Sequence, residues 1–213
     1  MIALLMAAVM QVTFVEGPVA ILPASGGAEL VPTVGAELHV GDTLQTREGG
    51  RVEIELSSGS VIRLGEGSKL TLREAEPQKA FSARLFVGNL WTKVHKLLSG
   101  ETYQVETENG VAGVRGTEFR LEAEQGKPDV LRVYEGVVDV GWNKVEAGRE
   151  LRFRKGEKPA VAAFEAGSEQ GHKFMDWVRS RPMKDGKEPG AVHHPDRNPE
   201  RENRERREHK HER

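Results

Sequence analysis

The feature that most constrains this chain is a two-residue alternation of apolar and polar side chains, which runs from residue 12 to residue 153. In the stretch RVEIELSSGSVIRL, for example, Val52, Ile54 and Leu56 alternate with charged or polar residues. Successive side chains of a β-strand point to opposite faces, so this alternation indicates strands with one buried face. Glycine-containing turns such as EGG, SSG and YEG separate the alternating stretches. Short strands with frequent turns predict a single all-β domain that is solenoid-like or roll-like, with a β-sandwich as the alternative.

One stretch inside this region has a mixed pattern. In EPQKAFSARLFVGNLWTKVHKLLSG (76–100), Leu90, Val94 and Leu97 share the spacing of a helix face, whereas RLFVGNLW is equally compatible with a strand. We predict a strand over Arg84–Lys93.

The N-terminal stretch is apolar from Ile2 to Met10. It is too short to cross a bilayer as a helix, which takes about 20 residues, but its length is typical of the apolar part of a signal peptide. No Lys or Arg precedes it. We therefore predict that residues 1–11 are a signal peptide or its remnant, and the alternative is a buried strand or short helix of the domain. Export would make this a periplasmic or secreted bacterial protein, and no other stretch is apolar enough to predict an integral membrane span.

A linker and a short helix are predicted over residues 154–183. The helix is expected within SEQGHKFMDWVRSR (168–181), with Ser168 as its N-cap. Phe174 and Trp177, together with the neighbouring Val178, share one face of that helix.

The last segment, residues 184–213, is a charged, low-complexity tail in which acids and bases nearly cancel. Such a composition cannot bury enough apolar surface to offset its ordering entropy, so we predict that the tail is disordered. Its interleaved glutamates argue against nucleic-acid binding, which requires uncompensated positive charge. The formal net charge of the whole chain is −2, which gives no general attraction to polyanions. The tail histidines lack a fixed geometry, so no metal site is predicted.

The stretch GVAGVRGTEF (110–119) superficially resembles a phosphate-binding loop. Its glycines are Gly110, Gly113 and Gly116, and the Lys of a P-loop does not follow them. The continuation TEFRLEAE alternates as a strand does, whereas phosphate binding by backbone amides requires a helix N-terminus. Nucleotide binding is therefore not expected, and the sequence predicts no cofactor.

Catalytic arrangements are equally absent from the sequence pattern. The chain has no cysteine and no G-x-S-x-G nucleophile elbow. His39 lies beside a turn and is interpreted as a surface histidine. The paired carboxylates Glu53 and Glu55 fall on the outward face of an alternating strand, and we interpret them as part of a solvated surface. We therefore predict that the protein is not an enzyme.

A structural interpretation accounts for the glycine-rich loop. Glycines allow the backbone to pass closely or to adopt positive φ where one strand leads into the next. Arg115 is expected to donate hydrogen bonds to turn carbonyls. Thr117 and Phe119 are expected to begin the next strand, with Phe119 pointing inward. The alternative is that Arg115 contacts a peptide or glycan.

These residues also carry a family resemblance. GVAGVRGTEFRLE resembles the signature of the FecR-type domain, and three further blocks agree in order: 41–72, VLRVYEGVVDV (130–140) and VEAGRELRF (145–153). The resemblance covers about residues 35–153 and gives residues 12–153 the expected bounds of a FecR-like β domain. The positions that match the family motif, for which a mainly structural role is implied, are Gly110, Gly113, Val114, Arg115, Gly116, Thr117, Phe119, Glu135, Gly136 and Gly148.

The resemblance implies an all-β module that is usually exported. In the signalling members of that family, the module lies in the periplasm and relays the state of an outer-membrane receptor, through one transmembrane helix, to a cytoplasmic anti-sigma segment. This sequence shows neither a spanning helix nor a preceding cytoplasmic segment, so we expect a soluble member without those parts.

Three hypotheses for function follow. The first is a non-enzymatic, exported binding, scaffold or signalling-input module, whose partner is an envelope protein or a cell-wall polymer. The second is a signal transducer of the sigma-regulator type that lacks its cytoplasmic part in this chain. The third is an envelope enzyme that acts on glycans, which would require a cleft with two carboxylates at catalytic separation.

Overall fold

The computed structural model describes residues 10–76, 79–183 and 189–191. Within those residues the chain forms sixteen strands, one 3₁₀ helix and one α-helix, and no helix among them is long and apolar enough to cross a membrane. The strands are β1 (Met10–Glu16), β2 (Val19–Leu22), β3 (Glu37–Leu38), β4 (Thr43–Thr46), β5 (Arg51–Glu55), β6 (Val61–Leu64), β7 (Lys69–Glu76), β8 (Ala80–Lys93), β9 (Thr102–Glu106), β10 (Val111–Val114), β11 (Glu118–Ala123), β12 (Asp129–Glu135), β13 (Val137–Val140), β14 (Asn143–Glu146), β15 (Arg149–Phe153) and β16 (Ala160–Ala163). The helices are the 3₁₀ helix (Ala166–Glu169) and α1 (Lys173–Ser180).

The strands form two layers that share the long strand β8. The first sheet has the order β3-β1-β5-β6-β8-β11-β12-β15-β16, and the second has the order β2-β4-β7-β8-β9-β10-β13-β14. Neighbouring strands are antiparallel apart from β8 and β9, which are parallel, among the strands described. β8 changes sheet at Gly88, whose φ is +107° and whose Cα faces Ser68 so closely that a side chain would collide with it. Glycine is therefore required where the shared strand turns from one layer to the other.

The inner faces of the two sheets enclose one hydrophobic core. Leu44 and Val105 of the second sheet belong to the same buried cluster as Ile54, Phe119 and Leu121 of the first. Phe119 and Leu121 alternate along β11 and are fully buried, as the two-residue pattern predicts. The all-β prediction is confirmed, and the strand expected over residues 84–93 is the second part of β8.

A second cluster lies on the outer face of the first sheet. We refer to residues 164–183 and 189–191 as the C-terminal cover. Phe174, Met175 and Val178 of the cover pack against Trp91 of β8 and Tyr134 of β12. The central strands of the first sheet are therefore buried on both faces, whereas the edge strand β16 is exposed. In the second sheet, outward residues remain exposed, among them Gln104, Asp139 and Lys144.

The helix of the cover begins later than the sequence suggests. Ser168 lies in the 3₁₀ helix, where its hydroxyl donates to the Glu165 carbonyl at 2.7 Å, and α1 starts only at Lys173. The expected N-cap role of Ser168 is therefore wrong. The face that carries Phe174 and Trp177 is buried, as predicted from its spacing.

The ends of the domain differ from the boundaries expected from the sequence. Met10 is buried and opens β1, so residues 10 and 11 of the predicted N-terminal signal belong to the first sheet, while residues 1–9 lie outside the described residues. Strands continue beyond residue 153 to β16. In the tail, residues 189 and 190 are buried in the cover, and residues 184–188 and 192–213 lie outside the described residues.

Candidate functional site: the Arg115 groove

The loop 115–117 connects the second sheet to the first. It follows β10 and leads directly into β11. The Thr117 carbonyl accepts from the Val94 amide at 2.9 Å, and the Thr117 hydroxyl donates to the Val137 carbonyl at 2.9 Å. These hydrogen bonds attach the loop to the ends of β8 and β13.

Two motif glycines meet in this loop. Gly116 has φ +68°, and a Cβ there would lie 2.9 Å from the Lys96 Cα. Gly136 has φ +80°, and a Cβ there would lie 2.8 Å from the Gly116 carbonyl oxygen. Positive φ and close backbone contact both exclude larger residues. The structure thus brings Gly116, Thr117 and Gly136 together in a tightly packed junction.

The remaining glycines of the motif have separate positions. A Cβ on Gly110 would lie 3.2 Å from the Phe153 ring, whereas one on Gly113 would meet only the Asp139 carbonyl oxygen, at 3.9 Å. Gly148 donates from its amide to the Val133 carbonyl. The apolar motif residues Val114 and Phe119 are buried in the core.

Arg115 differs from the glycines and the apolar residues of the motif, which have structural roles. Its side chain is exposed, and it has no hydrogen-bond or ion-pair partner among the described residues. The expected hydrogen bonds from Arg115 to turn carbonyls are therefore not formed with any residue that the structure describes. Arg115 instead lines an open groove of about 320 Å³ that also includes His95, Lys96 and Glu135. We call this the Arg115 groove.

The charge of the groove is unevenly compensated. Lys93 lies at its base, with Nζ 3.8 Å from a carboxylate oxygen of Glu118 and 3.8 Å from one of Glu135. Lys96, like Arg115, is exposed and has no ion-pair partner in the part of the chain that the structure describes. The groove therefore presents surplus positive charge to solvent.

Glu118 connects the base of the groove to the C-terminal cover. Its side chain is fully buried, and its Oε1 accepts from the Trp91 indole at 3.1 Å and from the Gly190 amide. Burial raises the pKa of Glu118 to about 7, although the Gly190 hydrogen bond and the charge of Lys93 lower it in part. A carboxyl group with this burial cannot reach a ligand in the groove, so Glu118 and Glu135 do not form a catalytic pair.

A second set of charges was missed by sequence reasoning. Glu53 was interpreted as a solvated carboxylate, but it is 8% exposed. Its oxygens accept from Arg63 Nε at 2.7 Å, from Arg181 Nε at 3.1 Å and from the Thr13 hydroxyl at 2.7 Å. Burial alone would raise the pKa of Glu53, but the hydrogen bonds from Arg181 and Thr13 and the charge of Arg63 lower it to about 2. Glu53 is therefore a buried structural anion.

Arg120 on β11 is a second buried charge with several polar partners. It is fully buried and donates to Glu169 Oε1 at 2.8 Å, to Asn89 Oδ1 at 2.5 Å and to His172 Nε2 at 2.9 Å. Burial and the charge of Arg120 lower the pKa of His172, which favours the neutral ring that accepts this hydrogen bond. Glu169 also accepts from the Tyr134 hydroxyl at 2.7 Å. The cover is thus attached to the sheet by paired, buried polar groups.

The sequence contains a local indication that the outer face of the first sheet is buried. Trp91 and Tyr134 occupy outward positions of their strands, where an exposed sheet would carry polar residues. Large aromatic side chains at such positions indicate that a further element covers them. The pattern does not say which element this is.

No other site chemistry emerges from the described residues. His39 is exposed beside Asp42, as predicted for a surface histidine. Among the described residues, no group of three or more His, Cys, Asp or Glu side chains is arranged to hold a metal ion. The tail histidines lie outside the described residues.

Residues 42–139, which include the loop 115–117 and most of the strands around the Arg115 groove, match the family model described as FecR protein. Residues 42–139 form a FecR domain. The family resemblance read from the sequence is thereby confirmed. The FecR match ends before the C-terminal cover begins.

The solved structures add information about the fold of the FecR domain. Two crystal structures, at 1.65 Å and 2.50 Å resolution, of a candidate anti-sigma factor from Parabacteroides distasonis ATCC 8503 align with a TM-score of 0.53 and 15% sequence identity. Each alignment covers 64% of this chain and 64% of that chain, so just under two thirds of the neighbour's length is represented. At this identity the likeness shows a common fold. A search of curated proteins finds no match.

Proposed function

We propose that this chain is a non-enzymatic signalling-input module of the bacterial envelope, which recognises a partner through its FecR domain. The match of residues 42–139 to the FecR family carries this proposal. The arrangement of charges is consistent with binding. The buried carboxylates are held by structural partners. Arg115 and Lys96 face solvent in the Arg115 groove and have no ion-pair partner among the described residues. The partner is an envelope protein or a cell-wall polymer.

Exposed sheet edges offer a second means of binding. β16 pairs only with β15 among the described strands, and all four of its side chains are exposed. The free backbone groups of such an edge can pair with an extended segment of another protein. Trp142, in the turn between β13 and β14, is fully exposed and supplies a large apolar contact.

Export to the periplasm or medium belongs to the same proposal. It is supported by the apolar stretch Ile2–Met10, whose length is typical of a signal peptide. Because Met10 is buried at the start of β1, we expect a cleavage point before Met10, so that the mature chain retains the whole strand. Cell fractionation and the intact mass of the mature protein test this. A full-length chain in the cytoplasm would contradict it.

Binding is tested by crosslinking in intact cells, followed by affinity purification and mass spectrometry of the captured species. We expect an envelope component that is captured by the wild-type FecR domain and is not captured by an unfolded variant. If no envelope component crosslinks to the protein, the signalling-input role is wrong.

A second candidate is regulation of a sigma factor. The structural likeness to a candidate anti-sigma factor favours it, although that likeness extends only to the fold. Deletion of the gene should then change transcription from promoters of one sigma factor, as measured by RNA sequencing. Unchanged transcription, together with a captured envelope partner, would favour a scaffold role instead.

A further inference from the structure

We infer that the Arg115 groove binds an acidic peptide segment of a protein partner. Binding of such a segment would be the recognition step of the signalling-input role proposed above, on which it rests. The groups that support it are two exposed cations and one carboxylate that line the groove, and two exposed apolar residues that lie close to the cations in the chain or in the sheet.

The two cations are fixed as neighbours by the backbone. Gly116 packs against Lys96 so closely that a Cβ on the glycine would lie 2.9 Å from the Lys96 Cα. Arg115 directly precedes this contact, so the Arg115 and Lys96 side chains leave adjacent points of two segments that pack against each other. The Thr117 hydrogen bonds hold the same loop in place. This arrangement lowers the entropic cost of presenting both charges to one ligand.

Both cations are available to a ligand. Arg115 and Lys96 are exposed and have no ion-pair partner among the described residues. Lys93, in contrast, is compensated by Glu118 and Glu135 at 3.8 Å each. The guanidinium of Arg115 can bind a carboxylate through two parallel hydrogen bonds, and the Lys96 ammonium can bind a second carboxylate as a point charge. The exposed ring of His95 lies in the same groove.

The surroundings favour a peptide over a uniform polyanion. Glu135 lies in the groove and repels a continuous run of negative charges, but its carboxylate can accept from a peptide amide. Val137, one position beyond the Val114–Val138 pair and thus beside Arg115, is 40% exposed. Leu98, two residues after Lys96, is 71% exposed. Carboxylates, amide donors and a large apolar side chain such as leucine occur together in a peptide. Polyphosphates have neither amides nor apolar groups, and anionic glycans carry no apolar group of that size.

The test uses the full-length protein and a fluorescein-labelled peptide of sequence Glu-Glu-Leu-Glu-Glu, with Gln-Gln-Leu-Gln-Gln as the neutral probe. Fluorescence anisotropy at low salt should show saturable binding of the acidic peptide and a weaker response to the neutral one. The double variant Arg115→Gln/Lys96→Gln should weaken binding of the acidic peptide at least about tenfold, because two charge-assisted contacts are lost.

The matched control is Lys144→Gln/Arg149→Gln, which removes two exposed cations elsewhere on the domain. This variant should bind the acidic peptide as the wild type does. Both double variants should keep the wild-type melting temperature, since all four side chains are exposed. Three results would overturn the inference. They are equal binding of the acidic peptide by Arg115→Gln/Lys96→Gln and the wild type, equal binding of the two peptides by the wild type, or no saturable binding at millimolar peptide. Stronger competition by inorganic polyphosphate than by the unlabelled peptide would also overturn it, in favour of a polymer ligand.

Crosslinking in cells separates this inference from the broader proposal. If the Arg115→Gln/Lys96→Gln variant captures the same envelope component as the wild type, the signalling-input role stands and the groove is not its recognition site. If neither protein captures an envelope component, the broader role itself fails.

Discussion

Arg63 Nε donates to Glu53 Oε2 at 2.7 Å across the β5–β6 pair, and both side chains are buried. The same guanidinium donates from NH1 to the Val178 carbonyl of α1, also at 2.7 Å. The pair therefore attaches the outer face of the first sheet to the C-terminal cover. An ion pair at this depth stabilises the fold only while both partners remain, because removing one leaves the other buried without compensation.

Replacement of Glu53 by Gln should destabilise the protein strongly at neutral pH. Arg63 and Arg181 would lose the charge that compensates them, and we expect a loss of about 3 kcal/mol in the free energy of unfolding. The folded pKa of Glu53, about 2, lies below its ordinary value of 4.5. Its stabilisation is therefore complete above pH 4.5 and is lost as pH falls towards 2.

Urea titrations of the Glu53→Gln variant between pH 3 and pH 7 measure this dependence. The difference from the wild type should shrink as the pH falls below about 4.5. Glu37→Gln, at an exposed position of β3, is the control and should change little. A difference that does not vary with pH would mean that Glu53 does not titrate as a buried, paired carboxylate.

Gly116 should tolerate substitution much less well than Gly113, although both belong to the same short motif. Gly116→Ala forces a side chain into positive φ and against the Lys96 Cα, so we expect a loss of about 2–4 kcal/mol. Gly113→Ala adds a Cβ whose nearest neighbour is the Asp139 carbonyl oxygen at 3.9 Å, an ordinary contact, and should be close to neutral. Thermal unfolding followed by circular dichroism compares the two, and equal melting temperatures would show that the loop can rearrange.

Glu118 should make the stability fall with rising pH. Its pKa is raised from 4.5 to about 7 in the folded state, so the folded protein binds the proton more tightly than the unfolded chain does. Stability is then lost as pH rises from about 4.5 to about 7, by roughly 3 kcal/mol if no other group compensates. The variant Glu118→Gln lacks this titration, so its stability relative to the wild type should increase over that range.

Chemical denaturation of the Glu118→Gln variant and wild type at pH 5, 6, 7 and 8 measures this trend. Glu146→Gln, on an exposed position of β14, is the matched variant and should follow the wild type. A constant difference between wild type and Glu118→Gln over this range would show that the buried carboxyl group keeps an ordinary pKa.

Truncation should reveal the importance of the C-terminal cover. A chain that ends at residue 163 exposes Trp91, Tyr134 and Arg120, and it loses the burial of several large side chains that each contribute about 1.5–3 kcal/mol. We expect this chain to aggregate or to unfold at a much lower temperature. A chain that ends at residue 191 should keep the transition of the full-length protein.

A third truncation, after residue 183, separates the tail from the helix. It removes the Gly190 amide that donates to Glu118. We therefore expect its melting temperature to fall, but by less than that of the chain ending at residue 163. If the chain ending at residue 163 melts at the wild-type temperature, the cover does not stabilise the sheet.

The sequence predicted the positions of the strands because their periodicity is local. Phe119 and Leu121 alternate along β11 and are buried as expected. The glycines at positions 116 and 136 were recognised as turn residues because positive φ leaves a strong compositional signal. Those same local signals identified the FecR motif. The Arg115 groove was only partly predictable, since its cations come from two segments that the fold brings together.

What the sequence by itself determined is the all-β class, the inner face of each strand and the glycine turns, all of which follow from interactions between near neighbours. Only the tertiary structure decided whether the outer faces of the sheets are exposed to solvent or buried. Glu53 and Arg120 have the pattern of solvated residues, yet both are buried under the C-terminal cover. The contact between Arg63 and Val178 spans 115 positions of the chain. Alternation identifies one face that must avoid water, but it carries no information about a distant segment that covers the other.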